Sequence, residues 1–163
     1  VITASATRSC RGTDHFGGCV VGADHNGGKV ATRIAAVRAL DNGWWWEAVD
    51  AGRLPIQRCT DCGLLRHPPR PMCGHCQSLA WDAVDSQMSG EIVSFTTLHY
   101  PQFPGYPSPI TCAVIRLDEG VNFVANIVDT NPGELHIGQR VAGTIERVDE
   151  KTTLPQFRVV GAA

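Results

Sequence analysis

The cysteines between positions 59 and 76 constrain this chain more than any other feature. They form two Cys-x-x-Cys pairs, Cys59–Cys62 and Cys73–Cys76, with ten residues between them. Two thiolates separated by two residues can reach one ion from a single tight turn. Two such turns facing each other complete a tetrahedron of sulfur, which suits Zn²⁺. Gly63 after the first pair and Gly74 inside the second supply the backbone freedom that such turns use. Bridges within a Cys-x-x-Cys pair are strained and mostly redox-active, so two structural disulfides of this kind are not expected.

The flanking sequence gives those turns a frame. Leu54–Arg58 reads as a strand leading into the first turn, Leu64–His67 as a strand leaving it, and Ala80–Val84 as a strand after the second. Strand, knuckle, strand, knuckle, strand is a zinc ribbon. With four thiols available, His67 and His75 are expected to be bystanders. From Ser89 the pattern is all β. Glu91–Tyr100, Ile110–Leu117, Val121–Val128, Arg140–Val148 and Gln156–Val160 read as five strands. Asp118-Glu119-Gly120 forms a tight hairpin, and 131–135 a helical turn between the third and fourth strands. That order is the plan of an OB barrel. The predicted fold class is therefore mainly β: an N-terminal helical segment, a four-cysteine rubredoxin-like zinc ribbon, then a five-stranded OB-fold barrel.

The expected division is a lead-in or linker over 1–43, an aromatic helix plus ribbon over 44–86, and the barrel over 87–163. Residues 1–29 are glycine-rich and aperiodic; Cys10, His15, Cys19 and His25 match no knuckle spacing. Val30, Ile34 and Val37 recur at helical spacing and predict a short helix over 30–40. Trp44-Trp45-Trp46-Glu47-Ala48-Val49-Asp50-Ala51 predicts a second helix, stopped by Gly52. Adjacent helical residues point roughly 100° apart, so Trp44, Trp45 and Trp46 cannot all face one small core. Such a helix either lies across the ribbon or meets a partner.

With a formal charge of −2 and a pI near 6.3, the chain lacks the broad basic field of a phosphate-backbone binder. No apolar run is long enough to span a bilayer, and no charged segment precedes an apolar one as in a secretory leader. Seven cysteines, four of them assigned to a metal, fit a reducing cytoplasm.

From about Trp45 to Val160 the chain resembles the zinc-ribbon plus OB-fold family first catalogued as domain of unknown function 35. The resemblance is carried by Trp45-Trp46-Glu47, Leu54–Cys59, Cys62-Gly63, Pro68-Pro69-Arg70, Cys73 and Cys76. It continues through Gly90–Phe95, Leu117-Asp118-Glu119-Gly120, Leu135–Gly138 and Thr153-Leu154-Pro155-Gln156-Phe157. It implies a non-catalytic accessory module with structural Zn²⁺ on Cys59, Cys62, Cys73 and Cys76. The implied partner is a thiolase-fold aldolase or thiolase acting on acyl-CoA thioesters, in a heterotetramer or larger assembly. The retro-aldolase of bacterial steroid side-chain breakdown is one such partner. The acyl-CoA is then shared with that enzyme, and no nucleic acid or membrane is involved.

Within this reading, Phe103 and Tyr106 sit on a proline-stiffened loop that is ready to meet a partner. Trp44, Trp45 and Trp46 are further interface candidates. Arg66 and Arg70 flank Pro68-Pro69 and could meet CoA phosphates, since guanidinium forks suit them. An enzyme in its own right is disfavoured, because a four-cysteine site has no open position and no nucleophile–base set is legible; His99 is the best isolated acid–base candidate. The competing class is a zinc-ribbon/OB-fold nucleic-acid binder. Against it stand Glu91, Asp118, Glu119, Asp129, Glu134, Glu146, Asp149 and Glu150 in the barrel region.

Overall fold

The computed structural model describes residues 33–34 and 36–161. The predicted helix over 30–40 is not realised: positions 33, 34 and 36–39 carry no regular structure, while 30–32 and 35 lie outside the described residues. Among the described residues, the apolar side chains of this segment are not packed. Ile34, Val37 and Leu40 are all exposed, and a helix of this length without a packed face is marginal in water. The Cys10, His15, Cys19 and His25 group likewise lies outside the described residues.

The first regular element is α1, Gly43–Asp50. Trp45, Ala48 and Val49 recur three and four residues apart and form its buried face. It ends in a Schellman arrangement: Arg53 N–H donates to the Ala48 carbonyl and Gly52 N–H to that of Val49, both at 2.9 Å. Gly52 takes the required left-handed conformation at φ 81°.

A three-stranded antiparallel sheet follows, built from β1 (Pro55–Cys59), β2 (Leu65–Arg66) and β3 (Trp81–Asp85) in the order β2-β1-β3. The remaining strands are β4 (Ser89–Leu98), β5 (Ile110–Leu117), β6 (Asn122–Ile127), β7 (Arg140–Arg147) and β8 (Thr153–Val159). They close into a barrel in the order β4-β5-β6-β8-β7. A short 3₁₀ turn, Pro132–Glu134, connects β6 to β7. Along β5, Thr111, Ala113, Ile115 and Leu117 point inward; Phe123, Ala125 and Ile127 do so on β6. β4 shifts register between Ile92 and Ser94, a bulge of the kind that bends a strand around a barrel. Gly90 is required by close approach: a Cβ there would lie 2.4 Å from the Arg116 carbonyl oxygen across the sheet.

β8 begins at Thr153 rather than Gln156, so Leu154 and Pro155 are part of the strand. Only Gln156 and Phe157 also pair with β6, so Pro155 sits where the strand runs as an edge, a position proline tolerates. One apolar cluster runs through both parts, from Trp45, Val49, Leu54 and Ile56 to Ile92, Ile115, Phe123, Val141 and Phe157. The ribbon is therefore seated on the barrel by shared core.

Candidate metal centre and the surfaces around it

Each knuckle is built by the same backbone pattern. Gly63 N–H donates to the Cys59 carbonyl at 2.9 Å, and Cys59 N–H to that of Leu64 at 3.0 Å. In the second knuckle, Gln77 N–H donates to the Cys73 carbonyl at 2.9 Å and Cys73 N–H to that of Ser78 at 2.8 Å. The residue after each second cysteine takes the left-handed conformation, Gly63 at φ 75° and Gln77 at φ 61°. Glycine thus serves the first turn as expected. In the second turn, a glutamine rather than Gly74 occupies the strained position.

The four sulfurs lie within 4.8 Å of one another. Cys59 and Cys76 are 3.5 Å apart and Cys62 and Cys73 3.6 Å, too far for disulfides. A tetrahedral ion with ligands at about 2.3 Å spaces its sulfurs by about 3.8 Å, so the cluster has the size of a metal site. Cys59 and Cys73 are fully buried, whereas Cys62 and Cys76 face outward.

Backbone N–H groups of Cys76 and His75 bring the Cys73 thiol down to about 6. Those of Cys62 and Asp61 lower Cys59 in the same way. At Cys76 the Ser78 N–H also favours the thiolate, but the other three sulfurs and burial outweigh it and push the thiol up to about 12. Four thiols in this space cannot all ionise alone; a cation resolves the conflict. The donor set fits a soft, tetrahedral ion.

The histidines are not in this cluster. His75 is exposed, and His67 lies between Trp45 and Phe123, with ring centroids 5.4 and 4.6 Å away. Burial lowers its pKa to about 4, so it is neutral at physiological pH. His99 is exposed.

The tryptophans divide three ways. Trp45 is buried, and its Nε1–H donates to the Pro55 carbonyl at 3.0 Å. Trp44 stacks on Trp81 of β3 at 4.8 Å, and Trp46 meets Trp45 edge-on at 4.8 Å. The helix is thus laid across the ribbon, with Trp44 and Trp46 half exposed. Phe103 and Tyr106 pack against each other at 6.4 Å. Arg33 lies 4.5 Å over the Tyr106 ring and donates from Nε to the Gly105 carbonyl at 2.9 Å, so Tyr106 is partly covered while Phe103 is exposed.

Arg66 requires a correction. It is 9% exposed, not a surface cation, because β2 turns it under the ribbon. Its Nε donates to Gln57 Oε1 at 2.9 Å, and the Arg70 N–H donates to the same oxygen at 2.8 Å. Arg66 is therefore closed to a CoA phosphate, whereas Arg70 is exposed. Sequence reasoning missed Gln57, whose 2% exposure follows only from the antiparallel pairing of β1 with β2. It also missed Leu79 and Trp81 as exposed apolar groups, although Leu79 after the second knuckle was a visible signal.

Comparison with known proteins now bears on identity. The description "ChsH2, rubredoxin-like zinc ribbon domain" matches residues 46–82, and "ChsH2, C-terminal OB-fold domain" matches residues 83–146. A solved structure titled "Ltp2-ChsH2(DUF35) aldolase" superposes with a TM-score of 0.71 at 40% identity, covering 78% of this chain and 98% of that one. This chain belongs to the DUF35 family. Among curated relatives, a probable enoyl-CoA hydratase alpha subunit of Thermomonospora curvata is 41% identical over 118 residues, 72% of this chain and 37% of the relative. The 3-oxo-4,17-pregnadiene-20-carboxyl-CoA hydratase alpha subunit of Mycobacterium tuberculosis is 36% identical over 104 residues, 64% of this chain and 33% of the relative. The chain thus spans about a third of the length of these two relatives. Among the described residues, no helix is long and apolar enough to cross a membrane.

Proposed function

We propose that this DUF35 chain is a non-catalytic accessory subunit or domain of a thiolase-fold acyl-CoA enzyme. The observation that carries the reading is its 40% identity to nearly the whole of a DUF35 chain solved in an aldolase assembly. The enzyme is an aldolase of steroid side-chain degradation or a thiolase-type acyltransferase. The relative named for a pregnadiene-carboxyl-CoA substrate favours the steroid case.

Under this reading Cys59, Cys62, Cys73 and Cys76 hold one Zn²⁺. Four thiolates complete its tetrahedron and leave no open position for water or substrate, so the ion braces the fold and does no chemistry. The ribbon and its helix, 44–86, and the barrel, 87–163, act as one rigid adaptor through their shared core. Trp44, Trp46 and Phe103 contribute to the contact with the enzyme. A cleft of about 340 Å³ at the ribbon–barrel junction, lined by Trp46, His67, Pro69, Phe123, Leu154 and Pro155, borders the path of the CoA thioester. The assembly is a heterotetramer or larger, and the chain works in the cytoplasm.

The test is reconstitution with Ltp2, the aldolase named in the related complex. Co-elution on size exclusion, with one zinc per DUF35 chain by elemental analysis, is expected. Separate elution of well-folded, zinc-loaded chain would refute the reading.

A further inference from the structure

The cleft at the ribbon–barrel junction, about 340 Å³, is walled without charge: none of its lining residues is Asp, Glu, Lys or Arg. A cavity of about 350 Å³ that shares Asn126 with it carries Arg33 and Asp129 instead. The one titratable side chain of the cleft is His67. Burial lowers its pKa to about 4, so its ring is an uncharged wall at physiological pH.

The walls are rings. Trp46, Trp45, His67 and Phe123 follow one another at centroid distances of 4.8, 5.4 and 4.6 Å, and Pro69 and Pro155 add stiff saturated faces. Trp45 and Phe123 belong to the apolar core, so packing fixes their orientation. Of the other lining residues, Val124 is 67% exposed and Leu154 half-buried, which leaves an apolar rim within reach of solvent.

Polar groups are few. The Asn42 amide is used in its own turn: Oδ1 accepts from the Ala39 N–H at 2.7 Å, and Nδ2 donates to the Val37 carbonyl at 3.3 Å. Asn126 Oδ1 accepts from the Cys112 thiol at 3.3 Å, which leaves Nδ2 as a donor.

This inventory selects the occupant. The phosphates of coenzyme A find no cation in the lining, and desolvating them there is costly. A peptide segment brings several backbone N–H and C=O groups, more than one amide can satisfy. A rigid, uncharged ring system matches flat walls and loses little conformational freedom on binding, whereas a flexible chain of equal size has many rotors to freeze. The volume falls at the lower end of small-ligand sites, about 300–1,000 Å³.

We propose that the cleft receives the uncharged, ring-bearing acyl end of the thioester, while the charged coenzyme A end lies outside it. The ring system packs on Trp46 and Leu154, and a neutral acceptor on it takes the Asn126 Nδ2–H. The proposal rests on the accessory reading above and narrows its substrate class to ring-bearing acyl groups.

The test is NMR titration of zinc-loaded chain with decalone, a neutral fused-ring ketone, against methyl octyl ketone, a straight-chain ketone of equal carbon count, and free coenzyme A. Decalone should give saturable shifts of the Val124, Ala125 and Leu154 methyls and of the Trp46 indole N–H. Methyl octyl ketone should bind at least about tenfold more weakly, and coenzyme A should leave these signals in place. Val124→Asp and Leu154→Asp should each weaken decalone binding about tenfold or more, with zinc content and circular dichroism unchanged. Equal binding of the two ketones, coenzyme A shifts at the same signals, or no decalone shift in a chain that co-elutes with Ltp2 would overturn the proposal and leave the accessory reading standing. Displacement of decalone by Ltp2 would assign the cleft to a partner side chain and overturn the proposal as well. Decalone binding by a chain that does not co-elute with Ltp2 would overturn the accessory reading and, with it, the assignment to an acyl group.

Discussion

The ribbon sheet has strands of five, two and five residues, and its own fully buried apolar side chains are few, chiefly Leu54, Ile56, Cys59 and Cys73. The barrel has five strands of six to ten residues closed around Ile92, Ile115, Leu117, Val141 and Phe157. Length and closure let the barrel satisfy its backbone and bury apolar area without help. Among the described residues the ribbon's outer strands are paired on one side only and its core is small, and a unit of that size usually needs a staple. Four converging thiols supply the place for one. The difference teaches where each half is vulnerable: the ribbon to loss of ligands, the barrel to loss of volume.

The largest effect is expected from Cys59→Ala. Structural zinc can contribute on the order of 10 kcal/mol to a small unit. Hydrogen exchange should show loss of amide protection over 55–85 and retention over 110–127, with zinc gone by elemental analysis. Equal loss in both halves would break the comparison and make the two one cooperative unit.

Phe157→Ala is the counterpart. Phe157 is fully buried, and its removal should cost about 3–5 kcal/mol by urea denaturation, with zinc still bound in the folded protein. Zinc loss from the folded variant would show that the barrel, not the ribbon, controls the metal.

The junction is probed by pH. His67 has its pKa lowered by burial to about 4, so between pH 6.5 and 4 the unfolded chain binds a proton that the native one does not. Stability is then full above about pH 6.5 and falls with acidification, by about 1.5 kcal/mol between pH 6.5 and 5, levelling once the native histidine protonates. His67→Phe should flatten denaturation midpoints across that window.

The smallest effect sharpens the contrast between the knuckles. Gln77→Gly relieves a left-handed glutamine where the first knuckle already has Gly63. A gain of about 1 kcal/mol is expected by thermal denaturation of the zinc-loaded protein.

Much of this architecture is legible in the residues. Alternation along 110–117 and 121–128 marks β5 and β6, Asp118-Glu119-Gly120 marks their hairpin, and Cys-x-x-Cys spacing marks both knuckles. Less visible is anything set by what lies opposite. Arg66 looks like a surface cation until the pairing of β2 with β1 turns it onto Gln57. The spacing of Val30, Ile34 and Val37 imitates a helix face, but Ile34 and Val37 find no surface to bury them. Pro155 disguises the start of β8 because a proline reads as a break until the strand is known to be an edge. The orientation of three successive tryptophans likewise depends on Trp81, His67 and Phe123, all distant in sequence.

The central claim is that this chain enables another enzyme's chemistry without performing it. Aldolase turnover by Ltp2, titrated with zinc-loaded chain, tests it most directly. The account predicts no turnover by the chain alone, and turnover by Ltp2 that rises with added chain and saturates as the complex fills. Turnover by the isolated chain, or an Ltp2 rate indifferent to its addition, would contradict it.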